Sequence, residues 1–593
     1  MLVRAFVLLL VLSLTPALAD DVLHLGTPQL DRPTLMALGV KLPISGDDNY
    51  NATVSVRYRQ ADTSVWREAL PLFRMRPETV RGWEVETQFS GSVFDLRPAT
   101  TYEIELHAVD PDGNVDETLT LVGTTRAVPG DPPTPNEKRV SDAVELKAAL
   151  ARAQPGDVIV LAEGVYTGSF SISAAGTAEN PIVIRGTSQE ETILDGGGCE
   201  SCNVLEVYGA GFVHIERLTL RNANRALRFQ TRGAEGNVVR RVRIRNTRLG
   251  IGSREDQRDF YICDNILEGR LSWPSVYTDD GGAHSNDDGI RVQGFGHVVC
   301  HNLISGYGDA MKVEQDGARA VDFYGNEVVS AYDNGIELDG SEANARCLRN
   351  RFTNTYATLS VQPVYGGPAY LIRNVVVNVV HEQMKFHGLG TVPPQEPNGI
   401  LAYHNTFVSP RLALNLATSA TTHHFVVQNN LFVGPALLLA GRIVDWTGRV
   451  DDGIFDYNGY YPDGGFRFNV PALGGLLSVP SFAALQLAGL ETHGTLLNPP
   501  VFANGLAAPV SYDVRLEPQD ALLEIESNAI DRGIVLPNVN DAYTGAAPDL
   551  GALEAGCPTP IYGPRPEGID ESNEPLGCEP LIRGQATQPP NWR

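Results

Sequence analysis

Positive charge is what this chain has least of. Its 593 residues carry 46 Lys and Arg against 71 Asp and Glu, a formal net charge of −25. Nucleic-acid binders present a basic surface, so nucleic acid is not an expected partner. Long apolar runs are also missing. The one near the start, Ala5 to Leu14, is too short to cross a bilayer, and no later segment reaches spanning length. Cysteine is sparse at seven residues, and the odd number leaves at least one unpaired within the chain. Cys199 and Cys202 form a C-x-x-C with no second ligand pair nearby for zinc and no βαβ setting for a redox motif.

Glycine, by contrast, is plentiful at 59 residues, as a chain of many turns requires. Arg4, the short apolar run and Ala17-Leu18-Ala19 follow the order of a signal peptide over residues 1–19, which predicts a secreted or periplasmic protein. The length exceeds one ordinary compact core, so several domains or one elongated repeat are expected. Residues 20–127 alternate apolar and polar positions, as in Thr53 to Tyr58 and Thr101 to Val109, with turns such as Asp110-Pro111-Asp112-Gly113 between them. That pattern predicts a small antiparallel sandwich. Trp66, Leu96-Arg97-Pro98-Ala99-Thr100-Thr101-Tyr102 and Ala108-Val109-Asp110 resemble a fibronectin type III module, which implies Trp66 in its core. Residues 128–139 hold four prolines and read as a linker.

From residue 140 the period changes. Ser141 to Ala153 reads as a capping helix, with Ser141 as its N-cap and Val144, Leu146, Leu150 and Ala151 as its apolar side. Asparagine then recurs at 222, 246, 265, 302, 326, 350, 374, 405 and 430, at intervals of 24, 19, 37, 24, 24, 24, 31 and 25. A step near 24 is too short for a βαβ unit and suits a coil of three strands and three turns, with Asn in a left-handed turn and like residues stacked about 4.8 Å apart. The longer steps place insertions near 268–288 and 389–398. Cys263 and Cys300 each precede an Asn by two residues and are expected to stack inside the coil. The coil is predicted over 140–556, and a Pro-rich tail over 557–593, where Cys557 and Cys578 are placed to pair.

Pro155-Gly156-Asp157, Gly164-Val165-Tyr166 and Pro181-Ile182-Val183-Ile184 resemble the opening of chondroitinase B-like and alginate lyase-like proteins. A broader resemblance to pectate-lyase-like proteins covers roughly residues 140–433, and Ala529 to Glu554 is similar to the closing segment of many secreted β-helix proteins. The resemblance implies an all-β fold, a right-handed parallel β-helix behind the N-terminal sandwich. Because that fold hosts lyases, hydrolases, epimerases and non-enzymes, it leaves the reaction open.

Strand alternation proposes where chemistry sits. With Ile290, Met311, Ile336, Leu359 and Met384 stacked inward, the next residues face out: Arg291, Lys312, Glu337, Ser360 and Lys385. Two residues on comes a second column, Gln293, Glu314, Asp339, Gln362 and His387. The entering turns add Asp287, Asp288, Asp309 and Asp333, and the inserted loop adds Trp273, Tyr277 and His284. Elimination from a uronic acid needs the sugar carboxylate neutralised, the C5 proton removed and the leaving oxygen protonated. Ca²⁺ on Glu314, Glu337 and Asp339 is the expected neutraliser. Lys312 or Lys385 is the expected base, provided its pKa is lowered, and His387 or Tyr365 the acid. Arg291 is expected to fork onto a substrate carboxylate, and Trp273, Tyr277, His284, Asp288 and Tyr365 to bind sugar. The resemblance implies Lys, Arg and a carboxylate-bound Ca²⁺, but the full motif of those lyases has no residue-by-residue match here. Two alternatives stand beside the lyase: a hydrolase using paired carboxyls, which Asn286-Asp287-Asp288-Gly289 with Gly308-Asp309 resembles in part, and a non-catalytic glycan binder. His381, His423 and His424 read as surface residues. The expected partner is an acidic polysaccharide, and the expected state a monomer.

Overall fold

A repeat of about 24 residues holding three short strands buries its apolar faces only by coiling on itself. In a computed structural model of the chain, which describes residues 20–75, 78–80, 83–209, 211–314, 317–389, 395–438, 441–575 and 578, it does so. The signal peptide expected over 1–19 lies outside these residues. Two long sheets, of 18 and 17 strands, wind around one interior. Successive rungs pair in parallel, which makes this a parallel β-helix with antiparallel sheets at its N-terminus. Its first strand, Asn136–Val140, takes the end of the segment read as a linker and pairs with Asp157–Leu161.

Stacking of like residues fills the interior. Leu205, Leu227, Ile251, Ile290, Met311, Ile336, Leu359 and Met384 form one apolar column, all buried. Each such side chain contributes about 1.5–3 kcal/mol by leaving water. Phe407, Phe432 and Tyr460 stack face to face at 5.3 Å per step. The helix Ala143–Ala151 closes the N-terminal end with Leu146 and Leu150. Its cap is Asp142, whose carboxylate accepts from the amides of Val144 and Glu145. Ser141 instead binds Glu145, because the helix starts one residue later than the sequence suggested; Val144 and Ala151 are exposed, since they lie on other faces of the helix than Leu146 and Leu150.

The asparagine ladder runs through residues 265, 302, 326, 350, 374, 405, 430 and 458. Each side-chain oxygen accepts the backbone N–H and side-chain amide of the Asn one rung before it, at 2.8–3.1 Å. Glu491 ends the series by accepting from Asn458. Two expectations need correcting. Asn222 and Asn246 lie in another corner, where Asn246 donates to Asn222; Val242 holds the ladder position on that rung, its amide bonded to Asn265. The left-handed residue of each ladder turn is the one before the Asn, as at His301, Arg349, Arg373 and His404, which frees the Asn side chain to point inward.

The sandwich pairs Thr101–Asp110 with Val115–Thr124 and Thr53–Gln60, facing a second sheet around Leu38–Ser45 and Gln88–Val93. Trp66 is not in its core. It lies half-buried beneath the guanidinium groups of Arg57 and Arg59. The sandwich docks on the 18-stranded sheet, where Asn344 donates to Asp31, the Ser92 amide donates to the Tyr370 hydroxyl, and Arg349 pairs with Asp95.

Beyond Thr495–Leu496 the chain turns back along the solenoid. Val501, Phe502, Leu523 and Leu550 cover Val375, Val408 and Leu431. Asn538 reaches the sandwich at Phe94, and Arg565 inserts beside Asp264 and Glu571 at the level of Cys263. Cys263 and Cys300 pair beneath this strap, on the outside of the coil, while Ile262 and Val299 take the interior. Cys199 pairs with Cys202 and Cys557 with Cys578, and Cys347 is free and buried. No helix among the described residues is long and apolar enough to cross a membrane.

Candidate active site

The strands Ile290–Val292, Met311–Val313, Glu327–Glu337, Arg351–Ser360 and Met384–Lys385 pair with Ile290, Met311, Ile336, Leu359 and Met384 in one inward column. Alternation then turns Arg291, Lys312, Glu337, Ser360 and Lys385 outward in one line. Three residues before each inward position stand Asp287, Gly308, Asp333, Tyr356 and His381. They are linked by Gly308 N–H to Asp287 O (2.7 Å), Asp333 N–H to Gly308 O (2.9 Å) and His381 N–H to Tyr356 O (2.8 Å). Between these two lines lies a groove of about 590 Å³, walled by Tyr277, Asp333, Tyr356, His381, Lys385 and His387.

Lys312 is the hub of the groove floor. Its ammonium lies 2.9 Å from Glu337, 3.0 Å from Asp309, 3.7 Å from Asp288 and 3.9 Å from Glu314. Burial pulls its pKa down, but Asp309, Glu337 and Asp288 more than offset this and hold it above the ordinary lysine value. Lys312 therefore stays protonated as a counter-ion and is not poised as a base. Lys385 is similarly held up by Asp339, Asp333 and Glu337 against its burial. Its contacts differ, however. Among the described residues no carboxylate lies within ion-pair distance, and its one side-chain bond is a long 3.4 Å to Asn334 Oδ1. The Asn334 amide is spent on Asp309 (3.0 Å) and Glu337 (2.8 Å). Two of the three ammonium donors of Lys385 thus remain for a ligand in the groove.

Crowding raises the carboxyls around these lysines. Burial, then repulsion from Asp309, pushes Asp333 up to about 7. Burial also lifts Asp288 to about 7, and Glu337 well above its usual range. Glu382 goes the other way. Although burial opposes it, bonds from His381 and His387 bring it down to about 2, with His387 Nε2 at 2.9 Å and His381 Nδ1 at 3.6 Å. The Tyr356 ring stacks between His381 (5.2 Å, 12°) and Tyr277 (5.6 Å, 24°). Its hydroxyl is pushed up by burial and by Asp333, so it stays neutral and able to donate a proton.

The expected residues distribute as follows. Lys312, Glu314, Glu337, Asp339, Lys385, His387 and Tyr277 line the groove, and Arg291 stands at its end on Glu314 (2.9 Å) and Asp288 (3.3 Å). Asp288 is buried beneath Lys312 rather than open to a sugar. His284 is turned onto Asp287 at 2.9 Å. Trp273 is not a sugar platform: it is packed against Val276 and Val380, and its indole N–H donates to Tyr512 O at 3.0 Å, anchoring the inserted loop. Tyr365 is fully buried against Met75, Val85 and Ala343 at the sandwich, so it is not the groove's acid. Tyr356, Glu382 and Asn334 are not among the expected residues, and His381, read as a surface residue, is half-buried in the groove wall. Counting back two or three residues from each inward position would have found all four.

The carboxylates proposed to hold Ca²⁺ do not fit that task in this arrangement. Glu314 points to Arg291, Glu337 is taken by Lys312 and Asn334, and Asp339 accepts from Ser360 Oγ (2.9 Å) and the Gln362 amide (2.7 Å). The Lys312 ammonium already lies between two of the three, 2.9 Å from Glu337 and 3.9 Å from Glu314. Among the described residues, three ligand atoms crowd within 4.8 Å only at Cys263, Cys300 and Glu571, where the two cysteines are bonded to each other.

No family model matches this chain. No curated protein matches it either. Solved structures overlap it with low scores. An alginate lyase from Paenibacillus sp. str. FPU-7 is 17% identical, over 56% of this chain and 97% of that one, at a TM-score of 0.34. The PL6 family alginate lyase AlyGC is 13% identical, over 65% and 60%, at 0.33. The PL6 family polysaccharide lyase Pedsa3628 from Pseudopedobacter saltans is 12% identical, over 65% and 97%, at 0.34.

Proposed function

We propose that the chain is a polysaccharide lyase that cleaves a uronate-containing glycan by β-elimination, with its own cations in place of a bound metal. The observation that carries this reading is Lys385: a half-buried ammonium in the groove with unspent donors, opposite the Tyr356–His381 stack. Lys385, helped by a protonated Asp333, neutralises the sugar carboxylate and so acidifies the C5 proton. His381 takes that proton on the ring nitrogen away from Glu382, whose carboxylate orients the imidazole and stabilises its charged form. The electrons of the C5–H bond form the C4=C5 double bond, the C4–O bond breaks, and Tyr356 protonates the departing oxygen. Proton return from His381 to Tyr356 resets the site. Lys312 holds Asp309 and Glu337 in place and is a positioning residue.

One observation favours a second reading. Asp333, raised to about 7, shares the groove with the carboxyls of Asp309 and Asp339, as hydrolysis by a pair of carboxyls requires. The two reactions leave different ends. Incubation with a panel of uronans should give ultraviolet absorbance from unsaturated ends, unchanged by chelator. New reducing ends without that absorbance would establish hydrolysis, and binding with neither product would leave a glycan-binding protein. The N-terminal sandwich, read as fibronectin type III-like, serves as a spacer. Three cysteine pairs support action in an oxidising compartment outside the cytoplasm.

A further inference from the structure

The outward line of the groove continues beyond the rungs read from the sequence. Arg228 pairs with Gly252, Gly252 with Arg291, and Arg291 with Lys312, so Arg228 stands in the same line two rungs before Arg291, about 9.6 Å away. Gly252 leaves room for its guanidinium on the rung between them. A Cβ at that position would stand 3.1 Å from Arg228 Nη1. Arg225, on the same strand Thr219–Phe229, lies beside it, and both are half-buried.

These two arginines differ from Arg291 and Arg248, and from the exposed Arg254 in being half-buried. Arg291 is paired with Glu314 and Asp288, and Arg248 with Asp287. Neither Arg225 nor Arg228 has a carboxylate within ion-pair distance among the described residues. The Arg225 Nε is buried with no hydrogen-bond partner. Burial and the nearby Arg291, Arg254 and Arg225 bring Arg228 down to about 10. A chain with a net charge of −25 has thus gathered cations at one end of its groove; Glu206, one rung before Arg228 in the same line, is bonded to Asn203, Tyr208 and Gln230 instead of to either arginine. Left bare, they repel one another; an anion laid across them removes that cost.

We infer that Arg225, Arg228 and the notch at Gly252 form an anion subsite that takes the carboxylate of a uronate unit in a polysaccharide lying along the solenoid axis, one or more units from the bond broken beside Lys385. Guanidinium forks suit carboxylates, and the rung spacing sets the line of contacts parallel to the helix axis. This rests on the proposed reading of the groove and deepens it by giving the substrate its charge and direction.

The test compares the full chain with an Arg225→Gln/Arg228→Gln variant. Calorimetric binding of mannuronate, guluronate and galacturonate tetramers is measured, with cellotetraose as the neutral control. The double variant should bind its preferred uronan at least tenfold more weakly and with a shallower salt dependence, while kcat at saturation stays within about twofold and KM rises. Arg225→Lys/Arg228→Lys should recover most of the affinity, which a mere folding defect would not. Gly252→Asp, which offers Arg228 a carboxylate within the protein, should weaken binding in the same way. If the unaltered chain binds a uronan without cutting it and the double variant loses that binding, the subsite stands and the cleavage reading falls. If cleavage is seen and affinity and salt dependence are unmoved in the double variant, the subsite falls and the cleavage reading stands. Equal affinity for cellotetraose and every uronan overturns the subsite.

Discussion

Two columns of polar residues climb the same solenoid, built by the same repeat, and they end in opposite conditions. In the asparagine ladder each amide both gives and accepts at 2.8–3.1 Å, so identical residues satisfy one another without limit until Glu491 closes the series. In the groove line Lys312 and Glu337 pair with each other, but Arg228, Arg291, Lys312 and Lys385 are cations, and cations do not satisfy their own kind. Carboxyls rise, lysines are held protonated, and Lys385, Arg225 and Arg228 keep unspent donors. A stacked column is structural when its members are self-complementary, and a site when they are not.

Breaking either column should expose that division. Lys385→Met should lower turnover by about 100- to 1,000-fold, as loss of a preorganised cation does, with a smaller shift in unfolding temperature than any ladder substitution. Steady-state rates and calorimetry on the same preparation check both halves, and a fully active Lys385→Met chain would place the chemistry elsewhere. Asn350→Leu should do the reverse. It leaves the Asn326 backbone N–H without its acceptor and takes one of two partners from the Asn326 amide group and one from the Asn374 oxygen, at a cost of about 3 kcal/mol in unfolding by denaturant, with kcat per folded molecule unchanged.

The smallest effect lies in pH. The folded-state pKa of Asp333 is raised to about 7. Between the ordinary aspartate range near 4 and pH 7, the folded chain keeps a proton that the unfolded chain has lost, so stability falls as pH rises across that window. Asp333→Asn should flatten this part of the profile of unfolding temperature against pH. An unchanged slope would assign it to Asp288 and Glu337 instead.

Much of this was legible beforehand because a period near 24 and strand alternation together fix which residues face out. The line Arg291, Lys312, Glu337, Ser360 and Lys385 was read in its actual register. The interval of 19 before Asn265 was itself a sign that Asn246 belongs to another corner, since the ladder position on that rung is Val242. Tyr356 carries no charge and His381 reads as a surface residue, so residue type alone marks neither; both share the register position of Asp333, three residues before the inward column. Arg228 was hidden by the insertion between Gly252 and Arg291, which breaks the arithmetic of the repeat. The fates of Trp273 and Tyr365 depended on contacts with Tyr512 and the sandwich, partners far away in sequence.

The returning C-terminal strap changes what kind of object the solenoid is. A stack of coils held only by nearest neighbours loosens from its ends, one turn at a time. Here the segment that leaves the last coil is fastened to Leu431, to His404, to the sandwich at Phe94 and finally to Asp264. Fraying of the terminal coils is therefore opposed by contacts that reach as far as Arg565 on Asp264. The chain has bound its own spine like a book, and the groove opens on pages that turn together or not at all.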